Sequence, residues 1–491
     1  MSEIKASGQR ELVSRGRRNQ LGQAMGAKGM QTRRRLLEAT ACLLKTTPLR
    51  ELRVAHIVRR AETSSATFYV YFNDVSEAVL ALISELTQSP PSLLGLFDAR
   101  WEPAEAMDRA HEFVASYVDH WEAHASLFLL RNLASDEGDE RFGAVRLNAV
   151  APLIGVMAER IQEGQRAGEA PADLHPQSAA GALLAMIERI SGVRLDTRNK
   201  RITRSRLVRV AAMLSALLFA RGDAAARILA KAPPAAADGR AETEAWIEEW
   251  ISMRSRGPSG GASERLNLNG QEIGSKGSRT RQRMIEVTDD LLRRKPLLEI
   301  SVAEIAAAAR TSTSTFYLYF RDVLDVVLAA VAQVTQSPPE LVALVKAPAD
   351  QPFGLVKAHE LVERYTAHWQ EHRALFRVRN LASDEGDLRF VHARREAVRP
   401  LLEAVAVRIA ERQALGALPQ DIHPPSAASA ILAMIERLAV IPYLPIGRNV
   451  TAETIMCAAA RFSVVLLTGV EAWTDAPAGS LLDSGRTKQD R

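Results

Sequence analysis

Short runs of hydroxyl and aromatic side chains occur twice in this chain and are its best candidates for contact with a polyanion. Residues 63–72 read T-S-S-A-T-F-Y-V-Y-F, and residues 311–320 read T-S-T-S-T-F-Y-L-Y-F. Ser and Thr at the start of such a run cap a helix, and being short they leave its amino end open to a phosphate oxygen or a base edge. Phe68 and Phe72 stand four apart and share one helical face, so the polar atoms of Thr67, Tyr69 and Tyr71 fall on the other sides. The apolar positions hold the helix and the hydroxyls present it.

Metal binding is a second candidate chemistry. His120 and His124, like His368 and His372, stand at i and i+4, which puts two imidazoles on one helix face. No carboxylate or third His extends either pair at fixed helical spacing, so the expectation is a core role and no metal site. Phe113, Tyr117, Trp121 and Phe128, with Tyr365, Trp369 and Phe376, read as core aromatics of the same stretches. The segment R-N-L-A-S-D-E-G-D, at 131–139 and 379–387, lacks the alternating oxygen ligands of a calcium loop; a helix closed by Gly138 or Gly386, with Arg131 able to pair with Asp136, accounts for it. No nucleophile elbow, phosphate loop, dinucleotide fingerprint or zinc-ligand spacing occurs, so neither catalysis nor a cofactor is expected.

The elements that must carry the hydroxyl runs form a helix-turn-helix plan. A short apolar-periodic helix, 54–61 or 302–309, leads through a tight turn into each run. A longer helix precedes each, starting near Lys28 in the first half. Its apolar face is Leu36, Leu37, Thr40, Leu43 and Leu44, repeated as Met284, Ile285, Thr288, Leu291 and Leu292, and Pro48 and Pro296 stop it. Ser301 and Glu304 make a capping-box pattern where the first half offers only Arg53 and His56.

The repetition extends far beyond these heads. Phe68 and Phe316, Trp121 and Trp369, and His175 and His423 are each separated by 248 residues, and L-A-M-I-E-R at 184–189 returns at 432–437. A whole domain is duplicated, which is not the short period of a solenoid. Amphipathic stretches follow each head, and the last two of each half are rich in Ala and Leu, a composition suited to close helix packing. The expected organisation is a basic arm at 1–27, a head at 28–77, a helical body at 78–231 and a linker at 232–275 containing one short amphipathic helix around Trp246. A second head at 276–325, a second body at 326–474 and a tail at 475–491 complete it. The arm and tail are expected to lack structure.

Composition agrees with helices. Hydrophobic residues make up 47% and aromatics 5% of 491 residues. Net charge is only +5, but residues 1–35 alone carry nine Lys or Arg against Glu3 and Glu11, a balance of +7. That arm suits the tracking of phosphates. Cys42 and Cys457 occupy non-equivalent places in the two halves and read as buried apolar residues in a reducing compartment. No apolar run nears the ~20 residues of a membrane helix and no signal core opens the chain, so a cytoplasmic protein with no membrane partner is expected.

At the two runs the sequence resembles the TetR family of transcriptional regulators, whose recognition-helix signature runs close to T-F-Y-x-Y-F. Glu62 and Arg310 stand where the family carries a turn Gly, and Val75 and Val323 where a Lys often follows. The resemblance implies an all-α module of a three-helix head plus a helical ligand and dimerisation body; the duplication departs from the family's usual single module, and with it the expectation is an all-α fold of two tandem modules arranged as an intramolecular pseudo-dimer. It implies double-stranded operator DNA as partner, met by Arg33, Thr63, Ser64, Ser65, Thr67, Tyr69 and Tyr71, and by Arg281, Thr311, Ser312, Thr313, Thr315, Tyr317 and Tyr319. It further implies a small apolar effector in a pocket lined by Phe113, Tyr117, Trp121, His124 and Phe128, with Tyr365, Trp369, His372 and Phe376 in the second half. The function implied is repression of transcription relieved by that effector. The alternatives are a homodimer with four heads, and a sensing or interaction protein that has lost promoter recognition.

Overall fold

The computed structural model describes residues 20, 23–44, 46–47, 51–136, 139–192, 202–230, 245, 266–334, 337–346, 353–440 and 449–473. Helices account for the regular structure among them, with only isolated bridges such as Trp101 to Ala220 and no strand. The linker helix expected around Trp246 and the tail at 475–491 lie outside the described residues. The chain divides into two compact units, Met1–Pro90 with His120–Pro152, and Pro91–Asp119 with Leu153–Arg491.

In the first unit, α1 (Ala27–Leu43), α2 (Val54–Arg60), α3 (Ser65–Tyr71) and α4 (Val75–Leu86) make the first head. Leu36, Ile57, Phe68, Phe72, Val79 and Ile83 form its core, joined by Leu127 from α7 (Ala125–Asp136) and by Phe142. α6 (Ala106–Ala123) and α8 (Glu140–Arg166) each run from one unit into the other, and α5 (Pro91–Gly95) belongs to the second unit. Thr40, buried on the apolar face of α1, satisfies its hydroxyl on the Leu36 carbonyl at 2.8 Å, which is how a polar residue fits that stripe.

The second unit contains the second head, α12 (Ser275–Leu292), α13 (Val302–Ala308), α14 (Thr313–Tyr319) and α15 (Val323–Ala332). Its core repeats the first: Met284, Ile305, Phe316, Phe320, Val327 and Val331, with Leu375 and Val378 from α18 (Arg373–Glu385), after α16 (Pro339–Val345) and α17 (Leu355–Glu371). Ser301 caps α13 as expected, but Glu304 turns to Lys295 Nζ instead of closing the box on the backbone. The cation at the end of the preceding segment outbids the local amide. Arg53 makes no side-chain cap on α2.

The rest of the second unit is built on four helices. α9 (Pro176–Gly192) and α10 (Arg204–Phe219) come from the first half; α20 (Pro424–Val440) and α21 (Ala452–Thr468) come from the second, after α19 (Leu388–Ala414). α9 packs on α20 and on α21, while α10 packs on α20, so each half supplies both of its last helices to the other. α20 is buried nearly all round, as a helix apolar on every side must be. Small residues such as Ala179, Ala180, Gly181, Ala427 and Ala428 let the backbones approach. α11 (Ala224–Ala230) follows α10.

Among the described residues α8 is long and apolar enough to span a bilayer by composition. Its apolar residues Leu153, Ile154, Met157 and Ile161 are instead buried in the protein core, and Pro152 interrupts its hydrogen-bond ladder.

Candidate nucleic-acid interface

Each head presents the same surface, built the same way. Ser64 accepts the Thr67 amide at 3.1 Å and Ser312 accepts the Thr315 amide at 3.1 Å, so the second Ser or Thr of each run is the cap. Phe68 and Phe316 are fully buried, and Phe72 and Phe320 nearly so. That anchoring leaves Tyr69 at 53% and Tyr317 at 54% exposure, large for aromatic rings on a folded domain. Ser65 and Thr313 are exposed, whereas Thr63, Thr67, Thr311 and Thr315 are half-buried. Tyr71 and Tyr319 are half-buried too, and their hydroxyls lie over Gly29 and Gly277 of the preceding long helices. The second tyrosine of each run thus braces the head as well as facing outward.

The turn before each presenting helix is a left-handed cap. Glu62 has φ 50° and Arg310 has φ 54°. The Thr63 amide donates to the Val58 carbonyl at 3.0 Å and the Thr311 amide to the Ala306 carbonyl at 2.9 Å, which closes the preceding helix. This conformation favours glycine, yet two exposed charged residues adopt it.

Arg33 and Arg281 are tied into their heads. Arg33 pairs with Glu85 at 2.6 Å and lies 5.5 Å over the Phe72 ring, and Arg281 lies 5.2 Å over Phe320. Two segments expected to lie outside the heads also engage them. The Gln20 amide donates to Val70 O at 2.9 Å, and its register mate, the Leu268 amide, donates to Leu318 O at 2.8 Å. A residue of the arm and a residue of the linker therefore brace the presenting helices from equivalent places.

Sequence reasoning missed the caps of α4 and α15. Asp74 accepts the Glu77 amide at 2.7 Å while Glu77 accepts the Asn73 amide at 2.7 Å, and Asp322 accepts the Asp325 amide at 2.7 Å. The acid-x-x-acid spacing was the readable signal. Arg53, read from the sequence only as the residue at the start of α2, lines with Asn73 and Ser76 an open groove of about 440 Å³ beside Tyr69.

The residues named as pocket lining are packed side chains. Phe113 meets Phe97 edge-on at 4.9 Å, and the Tyr117 hydroxyl donates to Glu188 at 3.4 Å. Trp121 stacks on Phe128 at 5.7 Å, and Trp369 lies 6.0 Å from Phe376. Tyr365 is fully buried, and burial with Glu436 nearby pushes its hydroxyl far above the ordinary phenol range. The His pairs stay in contact, at 5.4 Å for His120 and His124 and 4.9 Å for His368 and His372. Burial, then the neighbouring imidazole, holds His120 and His372 below the ordinary value. Contrary to the sequence reading, a carboxylate does join the second pair, since Glu371 comes within 4.8 Å of both rings, although it is 69% exposed. Gly386, at φ 98°, closes α18 as expected. Arg131 and Arg379 hydrogen-bond Asn132 and Asn380, while Gly138 and the Asp136 side chain lie outside the described residues.

The geometry defines an all-α protein in which a like set of four helices occurs twice, each followed by further helices. Residues 95–220 and residues 350–461 both match the family described as tetracyclin repressor-like, C-terminal domain, one match falling on each body. No curated protein matches the chain.

Proposed function

We propose that the chain is a sequence-specific DNA-binding transcriptional regulator of the tetracyclin repressor type, acting as a repressor released by a small apolar effector. The observation that carries this reading is the duplicated presentation of an exposed tyrosine, Tyr69 and Tyr317, from a hydroxyl-capped helix anchored by a fully buried phenylalanine. Tyr and Ser hydroxyls position a protein on phosphates, and a few residues at the helix start read base edges. Ser65 and Thr313 differ by a methyl group, so the two half-sites are similar and not identical. Two heads on one chain call for half-sites about 34–36 Å apart along the duplex. The effector would enter either aromatic layer by displacing packed rings, which couples its binding to a shift between two arrangements of the body. Family likeness and the lack of a catalytic constellation in the sequence support a non-enzymatic role.

The test is binding of the full-length chain to its own upstream DNA. A salt-sensitive complex of one chain per operator is expected, and Tyr69→Ala with Tyr317→Ala should abolish it while helicity is kept. Two chains per operator would establish the four-headed homodimer, and absence of any enriched site across the genome would leave the sensor without promoter recognition.

A further inference from the structure

Three metal-ligand side chains converge in the second body, at a place no helical spacing marks. His359 projects from α17, and Glu453 and Cys457, one turn apart, project from the start of α21, the helix packed along it. His359 Nε2 lies 3.1 Å from Glu453 Oε1, and Cys457 Sγ lies 3.5 Å from the same oxygen. All three donor atoms fall within 4.8 Å of one another. A tetrahedral zinc ion, with bonds of about 2.0–2.1 Å to nitrogen and oxygen and about 2.3 Å to sulfur, needs donors roughly 3.3–3.6 Å apart. The His359–Glu453 and Cys457–Glu453 separations already stand near that spacing.

The imidazole supplies an independent observation. His359 Nε2 is sealed from solvent and makes no hydrogen bond among the described residues, although the carboxylate is adjacent. A buried ring nitrogen that makes no well-formed hydrogen bond is costly, and a metal–nitrogen bond would satisfy it. Glu453 keeps 44% of its side chain exposed, which gives an ion a route in and leaves room for water. The register mates in the first body are His111, Ser205 and Arg209. A guanidinium cannot ligate a cation, and Arg209 is engaged with Asp421 at 2.6 Å. The equivalent positions of the first body therefore lack the ligand set.

We propose that His359, Glu453 and Cys457 form a site for one divalent transition-metal ion of the zinc class, with water in the fourth position. Mixed nitrogen, oxygen and sulfur donors select against magnesium and calcium, which take oxygen shells. The carboxylate and the thiolate supply the two negative charges, and the Cys457 thiol gives its proton to solvent as the ion binds. An ion there bolts α17 to α21, and the helix that follows α17 contributes Leu375 and Val378 to the core of the second head.

The experiment is a cobalt(II) titration of the reduced, chelator-stripped full-length chain. The expected result is a thiolate-to-cobalt charge-transfer band with tetrahedral visible bands, saturating at one ion per chain, releasing one proton and displaced by zinc. Cys457→Ser removes the sulfur band, and His359→Ala and Glu453→Gln each weaken binding by roughly tenfold or more, with helicity unchanged by circular dichroism. Cys42→Ser and His372→Ala leave the titration as it was. Lack of a sulfur band at stoichiometric cobalt, its survival in Cys457→Ser, or its loss in Cys42→Ser overturns the proposal. Cobalt bound only by the His368, Glu371 and His372 set would lack that band and would overturn it too.

Discussion

Arg189 lies 3.7 Å from Glu436 across the packed helices α9 and α20, and the register mates of that pair, Arg437 and Glu188, meet at 3.9 Å. Such reciprocity, in which residue i meets j and j meets i, is the mark of an isologous two-fold interface. Here one chain supplies both sides. A second reciprocal set surrounds it, with Asp173 on Arg461 at 2.7 Å and Asp421 on Arg209 at 2.6 Å. The aspartates are register mates but the arginines are one helical turn out of register, so the symmetry is approximate in its details.

Because partner surfaces are covalently joined, unfolding should not depend on protein concentration. The midpoint of thermal unfolding is expected to stay constant over a roughly hundredfold concentration range, as mass action does not act on a tethered pair. A midpoint rising with concentration would instead point to assembly of separate chains.

Glu436 is nearly buried and faces Asn380 at 2.6 Å, Arg394 at 3.0 Å, Arg379 at 3.8 Å and Arg189. Glu436→Gln removes a carboxylate that faces three guanidinium groups, those of Arg394, Arg379 and Arg189. The expected loss is about 3–5 kcal/mol, the range for breaking a buried ion pair from one side. Urea denaturation measures it, and a loss below ~1 kcal/mol, the worth of a surface pair, would contradict the network.

Arg310 holds its left-handed φ without the freedom of glycine. Arg310→Val is expected to cost about 1–3 kcal/mol, since a β-branched residue is strained there. Arg310→Gly should be near neutral or slightly stabilising, because relief of strain offsets the added freedom of the unfolded chain. Denaturation midpoints of the pair of variants check the order.

A Cβ at Gly277 would stand 2.8 Å from the Tyr319 hydroxyl and 2.9 Å from Ile273, whereas at Gly29 the nearest atoms are at 3.4 and 3.5 Å. Gly29→Ala should therefore gain about 0.5–1 kcal/mol of helix stability. Gly277→Ala should forfeit that gain and move Tyr319. Comparison of DNA affinity between the two variants reads the displacement, with only Gly277→Ala expected to weaken binding.

His120 and His372 titrate below the ordinary 6.5 because burial disfavours the imidazolium. The unfolded chain therefore binds more protons than the folded one between the two values. Their contribution is fully present above about pH 6.5 and is lost as pH falls through the depressed folded-state values. Stability measured from pH 7.5 downward should decline in that window, and His372→Gln should flatten part of the decline.

What the sequence determined alone is what short-range physics sets. The 248-residue register, the apolar stripes of α1 and α12, the anchoring of Phe68 and Phe316 and the caps at Ser64 and Ser312 follow from spacing of four residues or fewer, or from direct repetition. Even there, Glu304 found a longer-range partner in Lys295 than its capping pattern implied. Tertiary packing alone decided the rest. It set Arg189 against Glu436, closed the aromatic layer by seating Trp369 beside Phe376, and brought His359 from α17 to Glu453 and Cys457 on α21. Those meetings depend on which helices lie side by side and at what depth, and helical periodicity within one segment carries no information about either.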